Sequence, residues 1–587
     1  MKSCTLTLTA LLCACASSTA VGPSFNTDWQ NDAGASIAAV EQKLRGTPPP
    51  PTVNVAVGLT ADALLGVPLD GGTPWKHPKT SDSPPVIAGD LVVFSSGGEL
   101  FALDARTGER RWKIGVAGYR LRGAGDDGTV TVATLGQPDG ARSLLVTVSR
   151  NGSVLEHQQT THPLGRPAAQ GGVAFVPWSG QYVSAIDMES GDEIGRLLTR
   201  ELTSHALQEN GELYFGEKGV IRFDERIKYA STQQANRAGL PQRELPGKPR
   251  WLDPGETLPE LDMGARAKTR IYAAPRFDEP TRFASNRFVA TYFKTVMAFD
   301  AKSGDLSWTT ALPSDVIGGD AAAQGFVLCT QNGRLHTFAA DGSPGSTLGF
   351  GTHLRACVVE AGAFVARGVK AAEPLTNQLE RTLLGLEPDM ATAQLFLLEE
   401  LGKLSDPSVT KTLIELAQNP RTPPAVRNES RRLLSTRKSG AEHMLAALEA
   451  PFDFLSTSRL PAPVGPLADA LAAMREERAA TLLARHLNDP ATALEDLEPT
   501  ARALATLATP NEFQALRTFF ALYRSTADDP ALVTAVVAVA RALLRVGGSE
   551  GRAIVVRAAS DPMTQPDVAR GLAALDTALP SARAEAR

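Results

Sequence analysis

The fold of the chain is decided by the stretch Leu91–Trp112, which reads LVVFSSGGELFALDARTGERRW. Two short runs of strand-forming residues flank a Ser/Gly turn, which is the pattern of a β-hairpin. A second turn runs from Asp104 to Gly108, because Asp can bind backbone N–H groups two residues on and Gly takes positive φ without steric cost. Trp112 then begins the next strand.

The same unit returns twice in clear form, as AIDMESGD at 185–192 and as AFDAKSGDLSW at 298–308. The first of these copies has Gly195 where the tryptophan would stand. The residues predicted to form turns between strands or to pack between units are Asp104, Gly108, Trp112, Asp187, Gly191, Asp300, Gly304 and Trp308. With weaker copies near 70, 151, 224 and 341, the spacing is about 40 residues, which is typical of four-stranded β-propeller blades. We therefore predict an all-β propeller of seven or eight blades.

The pattern Ala-x-Asp-x-x-(Thr/Ser)-Gly-x-x-x-Trp at 102–112 and 298–308 resembles the PQQ-like, or tryptophan-docking, propeller family. The resemblance covers about residues 60–370 and implies that Trp112 and Trp308 pack between adjacent blades. The family includes quinoprotein alcohol dehydrogenases, which hold PQQ and Ca²⁺ at the propeller centre and usually carry two adjacent cysteines. This chain has no Cys-Cys pair, so we expect no cofactor.

No residue pattern indicates catalysis or a metal. The letters GAGDDG at 123–128 match a dinucleotide-binding fingerprint, but a strand rather than a helix is predicted to follow, so we expect a turn within a blade. The histidines are scattered; the nearest two, His157 and His162, lack the spacing of metal ligands. We predict no catalytic, cofactor-binding or metal-binding residue.

The first residues have the features of an export signal, with Lys2 ahead of a short apolar run and small residues before Cys15. Leu12-x-Ala14-Cys15 resembles a bacterial lipobox. We predict a signal peptide at 1–14, lipid attachment at Cys15, and a tether at 15–55 with a short helix and a polyproline spacer. The alternative is ordinary cleavage that leaves Cys15 as a free thiol. The predicted location is the cell envelope, on the outer membrane facing the periplasm.

Charge and the remaining cysteines limit the partners and the chemistry. The net charge is −5, which argues against a nucleic-acid partner. Cys329 and Cys357 lie in strand-like runs. In an oxidising compartment they could form a disulfide, and the alternative of two buried free thiols stays open.

From residue 374 to residue 582 the pattern becomes helical. Asp406-Pro407, Asp529-Pro530 and Asp561-Pro562 each offer an N-cap followed by Pro at the first helical position. Helices in pairs about 40 residues apart resemble HEAT-type repeats, and the alternative is an irregular helical bundle.

The function predicted from these features is a non-catalytic envelope scaffold, a lipoprotein that binds protein partners in outer-membrane assembly or envelope organisation. Two alternatives are a periplasmic PQQ-dependent oxidoreductase and a module that recognises glycans or peptidoglycan.

Overall fold

The computed structural model describes residues 23–26, 33–198, 205–209, 212–216, 269–275, 285–300, 305–322, 324–362, 364–452 and 459–578. The chain divides into two compact units, Met1–Ala372 and Glu373–Arg587. The predicted propeller at 56–370 lies within the first unit and the predicted helical region at 374–582 within the second. Cys15 and Gly304 lie outside the described residues.

The described strands of the first unit form seven antiparallel sheets, six of them with four strands. We number these sheets as blades 1 to 7. Blade 1 contains β1 (Val55–Leu59), β2 (Leu64–Pro68), β3 (Trp75–His77) and β26 (Ala356–Glu360). Blade 2 contains β4 (Val86–Ala88), β5 (Leu91–Ser96), β6 (Glu99–Asp104) and β7 (Arg110–Gly115). Blade 3 contains β8 (Arg120–Asp126), β9 (Val130–Gly136), β10 (Ser143–Ser149) and β11 (Val154–Thr160). Blade 4 contains β12 (Ala168–Gln170), β13 (Val173–Trp178), β14 (Tyr182–Asp187) and β15 (Glu193–Leu198).

Three further sheets complete the described strands. Blade 5 is represented by β16 (His205–Glu209) and β17 (Glu212–Gly216). Blade 6 contains β18 (Thr269–Pro275), β19 (Ser285–Tyr292), β20 (Thr295–Asp300) and β21 (Leu306–Ala311). Blade 7 contains β22 (Val316–Ala322), β23 (Gly325–Thr330), β24 (Arg334–Ala339) and β25 (Leu348–Gly349).

The ring order follows from the contacts between the innermost strands. The contacting pairs are β26 with β4, β4 with β8, β8 with β12, β12 with β16, β18 with β22, and β22 with β26. Blade 1 takes three strands from the start of the propeller and β26 from its end, so pairing of β26 with β1 closes the ring. The prediction of an all-β propeller is confirmed.

The blades are packed on both faces, as the apolar strands predict. Every residue of β9 and β13 is buried, because each sheet lies between two neighbouring sheets. The third and fourth strands of four blades also share a β-bulge, which falls after Ala102, Thr147, Ala185 and Ala298. The shared bulge gives the three predicted repeats the same register.

The predicted tether does not extend freely from the propeller. Helix α1 (Ala33–Leu44) contacts β13 and β15, and Val40 and Leu44 pack against the buried apolar residues of blade 4. Lys43 forms an ion pair with Asp187. The assignment of residues 15–55 as a tether with a short helix and a polyproline spacer stays a prediction, and within it the apolar Val40 and Leu44 of α1 have partners on the propeller.

The residues after α1 cross one face of the ring. Thr47 lies beside Gly171 in the β12–β13 turn. Pro51 lies beside Gly128 in the β8–β9 turn and Gly89 in the β4–β5 turn. The predicted spacer thus passes blades 4, 3 and 2 before the chain enters β1.

The second unit contains twelve described α-helices. Its first six are α2 (Leu375–Leu384), α3 (Ala391–Gly402), α4 (Pro407–Gln418), α5 (Pro424–Ser435), α6 (Ala441–Glu449) and α7 (Val464–Ala473). The others are α8 (Ala479–Leu487), α9 (Leu494–Leu507), α10 (Phe513–Tyr523), α11 (Pro530–Val546), α12 (Gly548–Ser560) and α13 (Pro566–Ala578). Within the described part of the chain, no helix is both long and apolar enough to span a membrane.

These helices stack as six pairs in two layers. The even-numbered helices from α2 to α10 contact one another in sequence, and so do the odd-numbered helices from α3 to α13. Each even-numbered helix also contacts the odd-numbered helix that follows it. Successive pairs begin at residues 375, 407, 441, 479, 513 and 548, which is closer than the predicted 40. The HEAT assignment stays a prediction.

Two of the three predicted Asp-Pro helix starts are present. The carboxylate of Asp406 accepts a hydrogen bond from Ser408 N, and that of Asp529 accepts one from Ala531 N. The third is wrong, because Asp561 follows α12 and accepts from Met563 N in a turn before α13 begins at Pro566. A turn built on Asp uses the same side-chain acceptor as an N-cap, so sequence alone does not separate the two.

Candidate functional site

The acidic residues of the repeated turn bind their own backbone. The Asp104 carboxylate accepts hydrogen bonds from the N–H groups of Arg106 and Thr107, both at 3.0 Å. Burial opposes ionisation of Asp104, but the hydrogen bond from Arg111 and these two N–H groups outweigh it, so its pKa lies below the usual value. The geometry makes Asp104 a turn former rather than an acid catalyst.

Asp187 plays the same part in blade 4. Its carboxylate accepts from the N–H groups of Glu189 and Ser190 at 2.9 and 3.2 Å. Burial is again outweighed, here by Lys43 and these N–H groups, and the pKa of Asp187 is lowered. Gly191 closes the turn with φ of +76° and donates to the Asp187 carbonyl. Asp300 ends β20, and the turn after it lies outside the described residues.

Each docked tryptophan covers the turn of the next blade. The Trp75 indole donates to the Ala105 carbonyl at 2.9 Å and lies over Gly108. Trp308 donates to the Ala340 carbonyl at 3.1 Å and lies over Gly342.

Trp112 takes the corresponding place over Gly152, where an added β-carbon would be 2.9 Å from its Cβ. Its indole nitrogen is buried without a hydrogen-bond partner among the described residues. Both tryptophans named from the sequence, Trp112 and Trp308, are therefore packed between blades. Trp75 is packed between blades in the same way. The sequence feature that points to it is the weak repeat copy near residue 70.

Cys329 and Cys357 are joined by a disulfide, with Cα atoms 6.4 Å apart. Cys329 lies in β23 of blade 7 and Cys357 in β26 of blade 1. The bond therefore links the two blades at the point where the ring closes. Of the two alternatives left open by the sequence, the structure contains the disulfide.

Charged side chains from three blades interact electrostatically near the innermost strands of the propeller. Burial lowers the pKa of Arg166, and the carboxylates of Glu360 and Asp320 act in the opposite direction. Arg166 precedes β12, Asp320 lies in β22 and Glu360 ends β26. Asp320 also accepts a hydrogen bond from Ala361 N at 2.8 Å. This cluster was not identified from the sequence, because its members belong to different blades.

The family resemblance raises the question of whether the propeller centre holds PQQ, and the Arg166 cluster is the part of the described structure to compare with that ligand. PQQ carries three carboxylates, so a site for it needs cations that are available to the ligand. The charge of Arg166 is already countered by Glu360 and Asp320. These three side chains alone do not make a site for PQQ, and we derive no step through it.

Two arginines, the buried Arg437 and the exposed Arg545, connect the helix pairs of the second unit. Arg437 donates to the Leu404 carbonyl at 2.7 Å and to the Asp406 carbonyl at 2.9 Å. Arg545 likewise donates to the Ala508 carbonyl. These bonds satisfy carbonyls in the segments between helices, which would otherwise lack partners. The pairs are thereby fixed to one another and present two extended surfaces.

The ring of blades, with tryptophans packed at three junctions, defines a β-propeller, carried on one chain with a two-layered helical unit. A family model described as "Outer membrane protein assembly factor BamB" matches residues 67–209. The match runs from the end of β2 to the end of β16, so it covers blades 2 to 4 and part of blade 1.

Several solved structures are similar to the chain. BamB from Moraxella catarrhalis is 15% identical, over 51% of this chain and 85% of that chain, with a TM-score of 0.28. Sqt1 from Saccharomyces cerevisiae is 10% identical, over 46% and 87%, with a TM-score of 0.32. A europium-containing methanol dehydrogenase is 10% identical, over 51% and 77%, with a TM-score of 0.29. No curated protein matches the chain. At these values no function follows from any one of them.

Proposed function

We propose that the protein is a non-catalytic scaffold of the cell envelope that binds protein partners and is held to the outer membrane by a lipid on Cys15. The observation that carries the proposal is the joining, in one chain, of a BamB-type propeller with a stack of helix pairs. Stacked helix pairs provide extended surfaces that commonly bind proteins. The proposed repeat type is HEAT-like.

The turn chemistry supports a non-catalytic role. The acidic residues that recur in the blades, Asp104 and Asp187, have lowered pKa values and bind backbone N–H groups. A general acid near neutral pH needs a raised pKa. These carboxylates therefore serve the fold.

Exposed apolar side chains on the second unit support partner binding. Of the large hydrophobic residues that are exposed in the described part of the chain, three lie on even-numbered helices: Leu384 on α2, Leu522 on α10 and Val556 on α12. They give positions at which a cross-linker can be placed without disturbing the core.

Cross-linking in the native envelope tests the proposal. Treating intact cells with an amine-reactive cross-linker and isolating the chain should yield a discrete adduct with one or a few envelope proteins. Recovery of monomer alone, under conditions where a known envelope complex is cross-linked, would count against a scaffold.

The oxidoreductase alternative is tested separately with PQQ and Ca²⁺. Our proposal predicts that the purified chain neither binds PQQ stoichiometrically nor reduces a dye in the presence of alcohols. Tight binding accompanied by dye reduction would replace the scaffold with an enzyme. Binding to a glycan array, with no protein adduct in the envelope, would instead favour the recognition module.

A further inference from the structure

The junction between blades 3 and 4 lacks the tryptophan that covers the turn glycine at the junctions formed by Trp75, Trp112 and Trp308. Glu156 of β11 holds the register position that Trp112 holds in β7, since each pairs with the residue before the β-bulge. A β-carbon added at Gly191 would lie 2.8 Å from Gln158 Nε2 and 3.2 Å from Glu156 Cγ. Two polar side chains thus stand where an indole would lie, and they supply less apolar surface to the junction.

The N-terminal segment adds an aromatic ring to this junction. Phe25 is 3% exposed and belongs to the apolar core shared by blades 3 and 4. Its ring meets the Trp178 ring edge to face, with centroids 5.9 Å apart. The Ser24 hydroxyl donates to the Gly191 carbonyl at 3.4 Å. Gln158 donates to the same carbonyl at 2.5 Å, so the segment reaches the turn that lacks a docked tryptophan.

Arg196 holds the backbone on both sides of Phe25. Its guanidinium donates to the Ser24 carbonyl at 2.8 Å and also to the Asn26 carbonyl. It lies over the Trp178 ring, 4.9 Å from the centroid, and forms a buried ion pair with Glu193. Because the guanidinium is planar and its donors are fixed, it can bind two carbonyls at defined positions.

A series of hydrogen bonds within blade 4 orients the Arg196 side chain. The Trp178 indole donates to the Ser184 hydroxyl at 2.8 Å, and that hydroxyl donates to Glu193 at 2.6 Å. Glu193 accepts from Arg196 Nε at 2.6 Å. The Tyr182 ring stacks on Trp178 with centroids 4.4 Å apart. The aromatic wall and the cation are thus set by blade 4 itself.

From these contacts we infer that blade 4 carries a binding site for an aromatic side chain flanked by two backbone carbonyls, and that its occupant is the chain's own Ser24-Phe25-Asn26. The segment completes the blade 3–blade 4 junction at which no tryptophan is docked. It also fixes the N-terminal segment to the propeller ahead of α1.

The site has a consequence for orientation, which rests on the proposed lipid at Cys15. Ser24 follows Cys15 by nine positions, so an extended chain between them spans at most about 30 Å. A lipid on Cys15 would therefore hold the edge of blade 4 near the membrane, so the propeller could not rotate freely on a long tether.

Hydrogen exchange on the purified full-length chain tests the site without needing lipid or partner. In the wild type, the peptide containing residues 24–26 should exchange slowly. Phe25→Ala should speed its exchange about tenfold or more, because the segment detaches locally. The peptide containing β5 should be unchanged. Val154→Ala, at an exposed position of β11, is the matched control and should leave both peptides unchanged.

A second variant covers the case in which Phe25→Ala also exposes β5. Arg196→Lys keeps the positive charge beside Glu193 but lacks the fork that binds two carbonyls, and it should release residues 24–26 to a similar degree. Fast exchange of this peptide in the wild type, or slow exchange in both variants, would overturn the inference. Because no partner or lipid is involved, either result leaves the scaffold proposal to its own test.

Discussion

Gly108 lies directly beneath the indole of Trp75, and a β-carbon added at Gly108 would be 2.6 Å from Trp75 Cδ2. The two residues belong to adjacent blades, and the Trp75 indole also donates to the Ala105 carbonyl of the same turn. The recurring Gly of the repeat therefore has two functions. It permits a φ of +73°, and it leaves room for a ring from the preceding blade.

The first prediction separates these two functions. Gly108→Ala should lower the free energy of unfolding of the propeller by about 2–4 kcal/mol, through backbone strain and the clash with Trp75. Gly97→Ala is the matched control, since Gly97 has φ of +59° and no atom near its β-carbon position; it should cost only about 1–2 kcal/mol.

Urea denaturation followed by tryptophan fluorescence measures the difference. All six tryptophans precede residue 309, so their fluorescence reports on the first unit alone. Equal losses for the two variants would mean that the space beneath Trp75 does not matter.

The second prediction concerns the indole hydrogen bond. Trp75→Phe removes the donor to the Ala105 carbonyl, whereas Trp112→Phe removes a nitrogen that has no partner among the described residues. Both side chains are buried, so the loss of apolar area is similar. Trp75→Phe should be the more destabilising by about 1 kcal/mol. The same urea titration measures both, and the reverse order would refute the assignment of this bond.

The third prediction concerns ring closure. Replacing both Cys329 and Cys357 by Ala should destabilise the propeller by about 3–4 kcal/mol, because the bond closes a loop with a sequence separation of 28. Mass spectrometry checks the bond itself. After unfolding without reductant and treatment with an alkylating agent, the two peptides should remain linked. Alkylation at either cysteine would restore the alternative of free thiols.

The fourth prediction is a pH dependence set by His336. Burial, with a smaller effect of Arg334, lowers the pKa of His336 to about 4. The unfolded chain, in which His titrates near 6.5, therefore binds more protons between pH 4 and 6.5. The contribution of His336 to the free energy of unfolding is therefore complete above pH 6.5. It falls by about 2–3 kcal/mol as the pH drops from 6.5 toward 4.

His336→Leu should flatten this dependence. The variant will not abolish it, because burial also lowers the pKa of His77 and contributes with the same sign. Urea midpoints measured at pH 7, 5.5 and 4.5 give the slope. A slope that is unchanged in the variant would show that His336 does not titrate as described.

The fifth prediction concerns the proposed anchor. Cys15→Ser should abolish incorporation of a labelled fatty acid and release the chain from the membrane fraction. Cys13→Ser is the matched control and should leave labelling intact, because Leu12 rather than a small residue precedes Cys13. Labelling that persists in Cys15→Ser would show that this residue is not the attachment site.

Much of the architecture could be predicted from residue patterns, because it depends on local rules. The Asp–Gly turn and the tryptophan recur with the same spacing in blades 2 and 6, and Asp406 and Asp529 mark helix starts through their own side chains. The glycines of the GAGDDG letters show where such reasoning fails. Gly123 and Gly125 lie inside β8 rather than in the predicted turn. Glycine is needed at both positions because an added β-carbon would strike the backbone of Arg166 or Ala169 in the next blade.

The long-range features could not be predicted in this way. The N-terminal segment is polar enough to read as a tether, yet Phe25 and Leu44 have partners on blade 4 that are far away in sequence. The charge cluster of Arg166, Asp320 and Glu360 likewise depends on ring closure. Single residues carry no periodic signal, so only the assembled propeller reveals them.

Site-specific photo-cross-linking in living cells tests the central claim most directly. A photoreactive amino acid is placed at Leu522 of α10, which is 60% exposed, and, as the control, at the buried Phe519 of the same helix. The scaffold account predicts a light-dependent adduct between position 522 and one envelope protein, which is absent at position 519. Its absence at positions 384, 522 and 556, combined with stoichiometric PQQ binding by the purified chain, would contradict the account.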